Sequence, residues 1–406
     1  MDRSTISEAY RRAVAACDPE EAVASALGRD DLVQLVEGSD RVIVIAIGKA
    51  AAAMARGAAS VVPEIEGIAV SDHREECPIP LLVGDHPIPG EASLAAGAEA
   101  LDVVSSTGPE DVLLFLVSGG GSALAESLVP GVTAADLSEA SRLLIEGGAP
   151  IEDINEVRAA LSTTKAGRLA AAAGTQRIST LLLSDVVGAG PEVVASGPSI
   201  PSSLGSRAGD VLERSGLADA MPASVVAAVT EGRRPVDRIN QPVIVLGSTE
   251  TSAAVAASHI RAQGEEPHVL TTALMGRSEP AVRRILDALD DHPAVIASGE
   301  TIVEVSGGGL GGRNQHAALL AAIAIEGTDI VFGALGTDGR DGPTDAAGAI
   351  VDGTSTERMR VAGVEPSDAV ASCDSYRALE ASGDLVITGP SGTNVADLWI
   401  AGRSVG

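Results

Sequence analysis

Apolar runs that close on glycine or serine and give way to alanine-rich stretches recur along this chain, and they constrain its fold more than any other feature. RVIVIAI (41–47) leads into a predicted helix from Lys49 to about Ser60, and DVLLFLV (111–117) leads into SGGGSALAESL. RISTLLLS (177–184) leads into Asp185, PVIVLGS (242–248) precedes a predicted helix over 250–263, and PHVLTT (267–272) precedes another over 278–291. DIVFGAL (329–335) and DLVITG (384–389) extend the series, while PAVIASG (293–299) and TIVEVS (301–306) predict a hairpin. Continuous apolar strands of this kind are buried on both faces, so their alternation with helices predicts parallel sheets covered on both sides. Right-handed crossovers then place the ligand-binding loops at the carboxyl ends of the strands.

At 406 residues the chain exceeds one ordinary core, and a hydrophobic content of 45% is ample for two. The Pro-, Gly-, Ser- and charge-rich segment 200–240 predicts a linker between two α/β halves. The first residues, MDRSTISEAYRRAVAACDPEEAV, predict an amphipathic helix without the apolar core of a signal peptide, and no apolar run reaches the ~18 residues of a membrane span. Cys17, Cys77 and Cys373 are odd in number and widely spaced, which predicts neither a disulfide framework nor a CxxC metal site. A cytoplasmic, soluble protein is expected.

The charge balance is extreme: 56 Asp+Glu against 28 Lys+Arg, a net charge of −28. Only Lys49 and Lys165 are lysines. A carboxylate-rich, lysine-poor surface suits a salt-saturated cytoplasm, where dense counterions screen the self-repulsion. With no basic stripe and 1% aromatic residues, nucleic-acid binding is excluded. Where arginine serves, this chain uses arginine, so the two remaining lysines stand out: a compact ammonium enters a crowded site that a planar guanidinium cannot.

Three glycine clusters follow apolar strands. Ser118-Gly119-Gly120-Gly121-Ser122 opens a helix, and backbone N–H groups bared by small residues form a ready phosphate site, although GxxxxGK[ST] is absent. Gly307–Gly312 delivers Arg313, Asn314 and Gln315 to the first turn of a predicted helix. An arginine there opposes the helix dipole, which favours a role in binding phosphate or carboxylate over a structural one. GTDGRDGPTD (336–345) carries three aspartates, among them Asp338, of a kind that suits Mg²⁺, and Asp185 closes a buried strand as a second carboxylate for that metal. The rigid loops GDHPIP (84–89), with His86, and TGPSGTN (388–394), with Thr393 and Asn394, offer polar groups to a ligand. HExxH and GxSxG are absent, so neither zinc hydrolysis nor an α/β-hydrolase triad has support. Phosphate loops, a lysine, an arginine and acidic loops together suit phosphoryl transfer.

At these residues the sequence resembles the class II glycerate kinases, whose C-terminal half is the MOFRL domain. The resemblance rests on ordered blocks across nearly the whole chain: IGKAA with Lys49, GDHPIP, SGGGSAL, NEVRAALSTTKAGRLA with Lys165, LLLSDVVG with ASGP, GGRNQ with Arg313, GTDGRDGPTDAAGA, and SGTNVADLWI. It implies an N-terminal Rossmann-like parallel sheet with helices on both faces (1–235), a smaller C-terminal α/β domain (236–406), and an active site in the cleft between them. It also implies ATP- and Mg²⁺-dependent phosphorylation of D-glycerate, usually to 2-phosphoglycerate, as archaeal sugar-acid degradation requires. In that family the lysine matching Lys49 and the arginine matching Arg313 are the proposed catalytic pair. Two positions depart from the family pattern: Ala189 stands where an Asp is common, and His316 where a Glu is frequent.

The expected binding set is Ser118, Gly119, Gly120, Gly121, Ser122, His86, Lys165, Asn314, Thr393 and Asn394, in a monomer or homodimer without nucleic-acid or membrane partners. Two rivals remain at this stage. An NAD(P)-dependent hydroxypyruvate reductase needs GxGxxG and a ribose-binding acid, which the glycines of 307–312 match only loosely. A non-catalytic nucleotide or sugar-acid sensor gives no reason to retain both lysines.

Overall fold

The computed structural model describes residues 1–404. These form two compact units. One comprises Pro19–Leu183 and Ala189–Leu246, and the other Met1–Asp18, Ser184–Gly188 and the residues from Gly247 onward.

The first unit is built on strands β1 (Val42–Ile47), β2 (Glu66–Ser71), β3 (Leu81–Val83), β4 (Val112–Val117), β5 (Ile178–Leu183) and β6 (Val243–Gly247), ordered β3-β2-β1-β4-β5-β6. Strands β3, β2, β1, β4 and β5 pair in parallel. This is the expected Rossmann-like order. Every residue of β1, β4 and β5 is buried, as a sheet covered on both faces requires. The strand order reverses between β1 and β4, so the loops leaving those neighbours diverge and open a crevice at their carboxyl ends. Helix Ala51–Val61 packs closely on helix Pro19–Leu27 because the facing residue is small: a Cβ on Gly57 would stand 2.3 Å from the Glu20 carbonyl oxygen.

The expected linker is not one. Helices Ala208–Ser215 and Ala223–Glu231 lie inside 200–240 and bury Val211, Leu212, Val225 and Val229 against Leu137, Leu144, Val157 and Leu161. The segment's average composition is polar, but its few apolar residues recur at helical spacing, and that spacing decides the packing.

The second unit carries strands β7 (Pro267–Arg277), β8 (Ala294–Ile302), β9 (Ile330–Gly336), β10 (Gly348–Asp352), β11 (Leu385–Val386) and β12 (Asp397–Arg403), ordered β11-β10-β9-β12-β8-β7. Here the expectation of a parallel sheet fails. Only β7 and β8 run parallel, while β8/β12, β12/β9, β9/β10 and β10/β11 are antiparallel. An apolar run buried on both faces reads the same whichever way its neighbour points. The predicted hairpin at 293–306 is also replaced by one strand, β8. Its Gly299 (φ +148°) is no turn, because a Cβ there would meet Leu274 backbone at 2.3 Å; the glycine permits close approach of β7. The N-terminal amphipathic segment breaks into helices Arg3–Ala15 and Pro19–Leu27. The first packs Ile6, Ala9, Tyr10 and Ala13 on the second sheet, opposite the face where Phe332 meets Trp399 edge-on with ring centres 5.8 Å apart.

Candidate active site

In the first unit the chemistry collects where β1 and β4 end. Gly48 (φ +132°) turns the chain out of β1, and a Cβ there would stand 2.1 Å from Ser118 Oγ and 2.5 Å from the Ser118 carbonyl oxygen. Glycine is therefore required by both conformation and space. The two loops are tied together: Lys49 N–H donates to the Gly119 carbonyl at 3.0 Å, and Ala50 N–H to Ser118 Oγ at 3.1 Å. Gly120 (φ +83°) forms a floor beneath two side chains, its ideal Cβ lying 3.2 and 3.3 Å from Lys49 Cγ and Cε and 3.4 Å from His86 Nε2. Among the described residues, the backbone N–H groups of Gly119 and Gly120 meet no protein acceptor, which leaves them for an anion.

Lys49 is exposed and forms no ion pair among the described residues. His86 is exposed as well; partial burial and the nearby Lys49 ammonium hold its imidazole below the ordinary value, with Asp72 opposing.

Lys165 occupies the opposite situation. It is 2% exposed, and its ammonium donates to Glu126, itself 0% exposed. Glu126 is completed by Ser162 Oγ at 2.5 Å and Ser127 N–H at 3.0 Å. Burial pushes the Lys165 ammonium below its usual range against the pull of Glu126. Lys165 is expected to orient a loop or to contact phosphate, and the second of these is corrected: its charge is consumed inside the protein on Glu126, which leaves the loop role. The following residues, Ala166 and Gly167, donate N–H to the carbonyls of Ser196 and Gly197 at 3.0 and 2.7 Å. That contact holds Ala195, Ser196 and Gly197 in left-handed conformation in succession, φ +51°, +60° and +60°. Such strain outside glycine costs on the order of 1–3 kcal/mol per residue and persists only where surroundings enforce it. Ser196 Oγ then meets Ser122 Oγ at 2.9 Å, and Ala195 packs under Gly121, so the strained loop buttresses the glycine loop.

In the second unit Arg313 begins helix Arg313–Ala324. Its Nε and Nη2 donate to Asp397 Oδ2 and Oδ1 at 2.6 and 3.0 Å, and its Nη1 lies 2.9 Å from Glu300 Oε1. Burial disfavours the charged guanidinium, but Asp397 and Glu300 more than offset this and hold it above its ordinary range. Arg313 does not leave the helix dipole unanswered. An acid does cap this helix, supplied by a distant loop: Asp341 accepts the N–H groups of Asn314 and Gln315 at 3.1 and 2.7 Å. Asn314 is an internal strut, donating to Asp397 Oδ1 at 2.9 Å and accepting from Trp399 Nε1 at 2.7 Å, so its expected contact with ligand is corrected as well. Thr393 is 4% exposed, and Asn394 uses Oδ1 to accept Ala396 N–H at 3.1 Å, closing its own loop.

The three loop aspartates diverge. Asp341 caps the helix, Asp345 accepts Tyr376 O–H at 2.9 Å, and Asp338 accepts Arg340 N–H at 3.0 Å. Asp185 is half-buried beyond β5. Among the described residues no group of three or more His, Cys, Asp or Glu side chains could hold a metal ion, so a resident protein-caged metal does not fit. No helix among them is long and apolar enough to cross a membrane.

Sequence reasoning missed Asp397, Glu300 and Glu126. Asp397 left a trace, since an acid opening the apolar run DLWIAG is out of place unless paired.

A domain model described as a domain of unknown function (DUF4147) matches residues 5–230, and a model described as the MOFRL family matches 293–397. The chain is 38% identical to a D-glycerate 2-kinase of Thermotoga maritima over 97% of this chain and 96% of that one. It is 35% identical to a glycerate 2-kinase of Pyrococcus horikoshii, covering 96% and 94%. A protein of Agrobacterium vitis named putative hydroxypyruvate reductase is also 35% identical, covering 98% and 93%. Among solved structures, a glycerate kinase of Thermotoga maritima superposes with a TM-score of 0.90 at 36% identity, covering 98% of this chain and 99% of that chain.

Proposed function

Because this chain belongs to the glycerate kinase family that joins a DUF4147 domain to a MOFRL domain, we propose that it transfers the γ-phosphoryl group of ATP to D-glycerate, at the C2 hydroxyl, giving 2-phosphoglycerate. The observation that carries this reading is Lys49: in a chain with two lysines, it is the exposed one, set on a glycine floor at the carboxyl end of a central parallel strand.

The SGGGS loop binds phosphate through the N–H groups of Gly119 and Gly120, with Ser118, Gly121 and Ser122 shaping the turn. Lys49 and Arg313 act as the catalytic pair that neutralises charge on the transferring phosphoryl group, whose transition state asks mainly for positioning and counter-charge. Arg313 has its inner edge held by Asp397 and offers its outer edge, now shared with Glu300, to an anion. Magnesium travels with the nucleotide phosphates, and Asp185 and Asp338 are the carboxylates proposed to meet it, in keeping with a cation that needs only one or two. The acidic, lysine-poor composition supports the reading of an enzyme that works in a cytoplasm of high salt.

The reductase reading, a name some relatives carry, is disfavoured by the motif: the glycines of 307–312 match GxGxxG only loosely, and no ribose-binding acid accompanies them.

The test is direct. The protein is incubated in molar KCl with ATP, Mg²⁺ and D-glycerate, and the product is offered to enolase without a mutase. Immediate consumption identifies 2-phosphoglycerate; consumption only after a mutase is added means 3-phosphoglycerate, and NADH oxidation with hydroxypyruvate in place of kinase turnover would overturn the reading.

A further inference from the structure

Transfer to a hydroxyl requires a group that takes its proton, and neither an ammonium nor a guanidinium accepts one. Resting on the kinase reading, we propose that His86 is that acceptor, its Nε2 placed beside Lys49 above Gly120.

The loop carrying His86 is held firmly while the ring is left open. Asp85 Oδ2 accepts the N–H groups of Ala92 and Ser93 at 3.1 and 3.3 Å, and Ser93 Oγ accepts Asp85 N–H at 2.8 Å. Gly84 fits against Leu124, where a Cβ would stand 2.3 Å from the carbonyl oxygen. The imidazole itself has no hydrogen-bond partner among the described residues.

Rival acceptors nearby are engaged. Asp72 is held by His73 Nδ1 at 2.6 Å, and Glu126 is buried against Lys165. Among the described residues, Lys49 and Asp72 are the charged groups whose fields act on the ring, in opposite directions. Burial and Lys49 favour its neutral form, so the lone pair is available at neutral pH.

The step balances. The C2 oxygen forms its bond to the γ-phosphorus while the bond from that phosphorus to the β,γ-bridging oxygen breaks, its electron pair leaving with ADP. The hydroxyl proton passes to His86 Nε2, and the imidazolium returns it to solvent, a loss the Lys49 charge favours.

The full chain is assayed with D-glycerate and ATP–Mg²⁺ across about pH 5.5 to 9 as wild type, His86→Asn and His86→Ala. Wild-type kcat/KM is expected to fall on the acid side as His86 protonates. His86→Asn should lower kcat by about 10²–10⁴-fold, with KM for glycerate within about threefold, and should abolish the acid limb. Added imidazole should restore part of the His86→Ala rate. As a readout independent of turnover, the NMR titration of His86 should move upward in Lys49→Met. A His86→Asn enzyme within about threefold of wild type, or a loss confined to KM with the acid limb intact, overturns the proposal. A wild type inert toward D-glycerate overturns the kinase reading together with it, whereas an active wild type with an indifferent His86→Asn overturns this inference alone.

Discussion

Asp397 grips Arg313 with both carboxylate oxygens, Oδ2 to Nε at 2.6 Å and Oδ1 to Nη2 at 3.0 Å, across 84 residues of sequence. The carboxylate is 1% exposed and shares Oδ1 with Asn314, which in turn holds the chain's one tryptophan. Asp397→Ala takes away the buried partner of the guanidinium but leaves it Glu300 and solvent, a loss of about 1–3 kcal/mol. Asp397→Asn keeps the shape and one acceptor, so its stability loss should be smaller while its turnover still falls. Thermal melts, kcat and Trp399 emission report the two effects separately; equal turnover in Asp397→Asn and wild type would remove Asp397 from any role in positioning Arg313.

Lys49 contributes little to the fold, being exposed and unpaired. Lys49→Ala should change stability by less than about 0.5 kcal/mol while lowering turnover by at least about 10²–10³-fold. Lys49→Arg should not restore the rate, because the Gly120 floor approaches the lysine stem within 3.2–3.3 Å of a missing Cβ and suits a thin chain. Steady-state kinetics beside a melting curve decide it, and a near-wild-type rate in Lys49→Ala would end the assignment.

For Lys165 the expectation is reversed. Lys165→Met strands the buried Glu126 carboxylate, at a cost of about 3–5 kcal/mol, and should release the strained loop at Ala195 and Ser196. The double variant Lys165→Met/Glu126→Gln removes both charges and should regain most of that stability. A double variant no more stable than the single one would show that the pair is not the source of the effect.

Asp341 gives the protein a pH signature. Burial pushes its carboxyl up from 3.8 to about 6, against the two N–H groups it caps. The native state therefore holds a proton between these values that the unfolded chain has lost, so stability falls as pH rises through this window. The slope should amount to about 2 kcal/mol between pH 4 and 7 and should be missing in Asp341→Asn. Denaturation of both proteins at the two pH values is the check; parallel pH dependence would refute it.

Much of the first unit was legible in the chain. Runs such as VIVIAI and VLLFLV declare doubly covered strands through apolar content alone, and Gly48 and Gly120 declare the turns that follow them. The lysine count isolated Lys49 and Lys165 but gave no ranking of them. That ranking depends on Glu126, 39 residues away, which neutralises one and leaves the other. Likewise a dipole-opposing Arg313 was readable, but the acids that answer it, Asp341 and Asp397, are not its sequence neighbours.

The division has one physical cause. Periodicity, apolar content and glycine act over a few residues, so the sequence by itself determined the doubly covered strands of the first unit and the tight glycine turns that follow them. Strand direction in the second sheet, the packing of Arg3–Ala15 on that sheet, and the pairing of each buried charge arise between distant segments. They were decided only when burial drew acids and bases from distant segments into pairs in three dimensions.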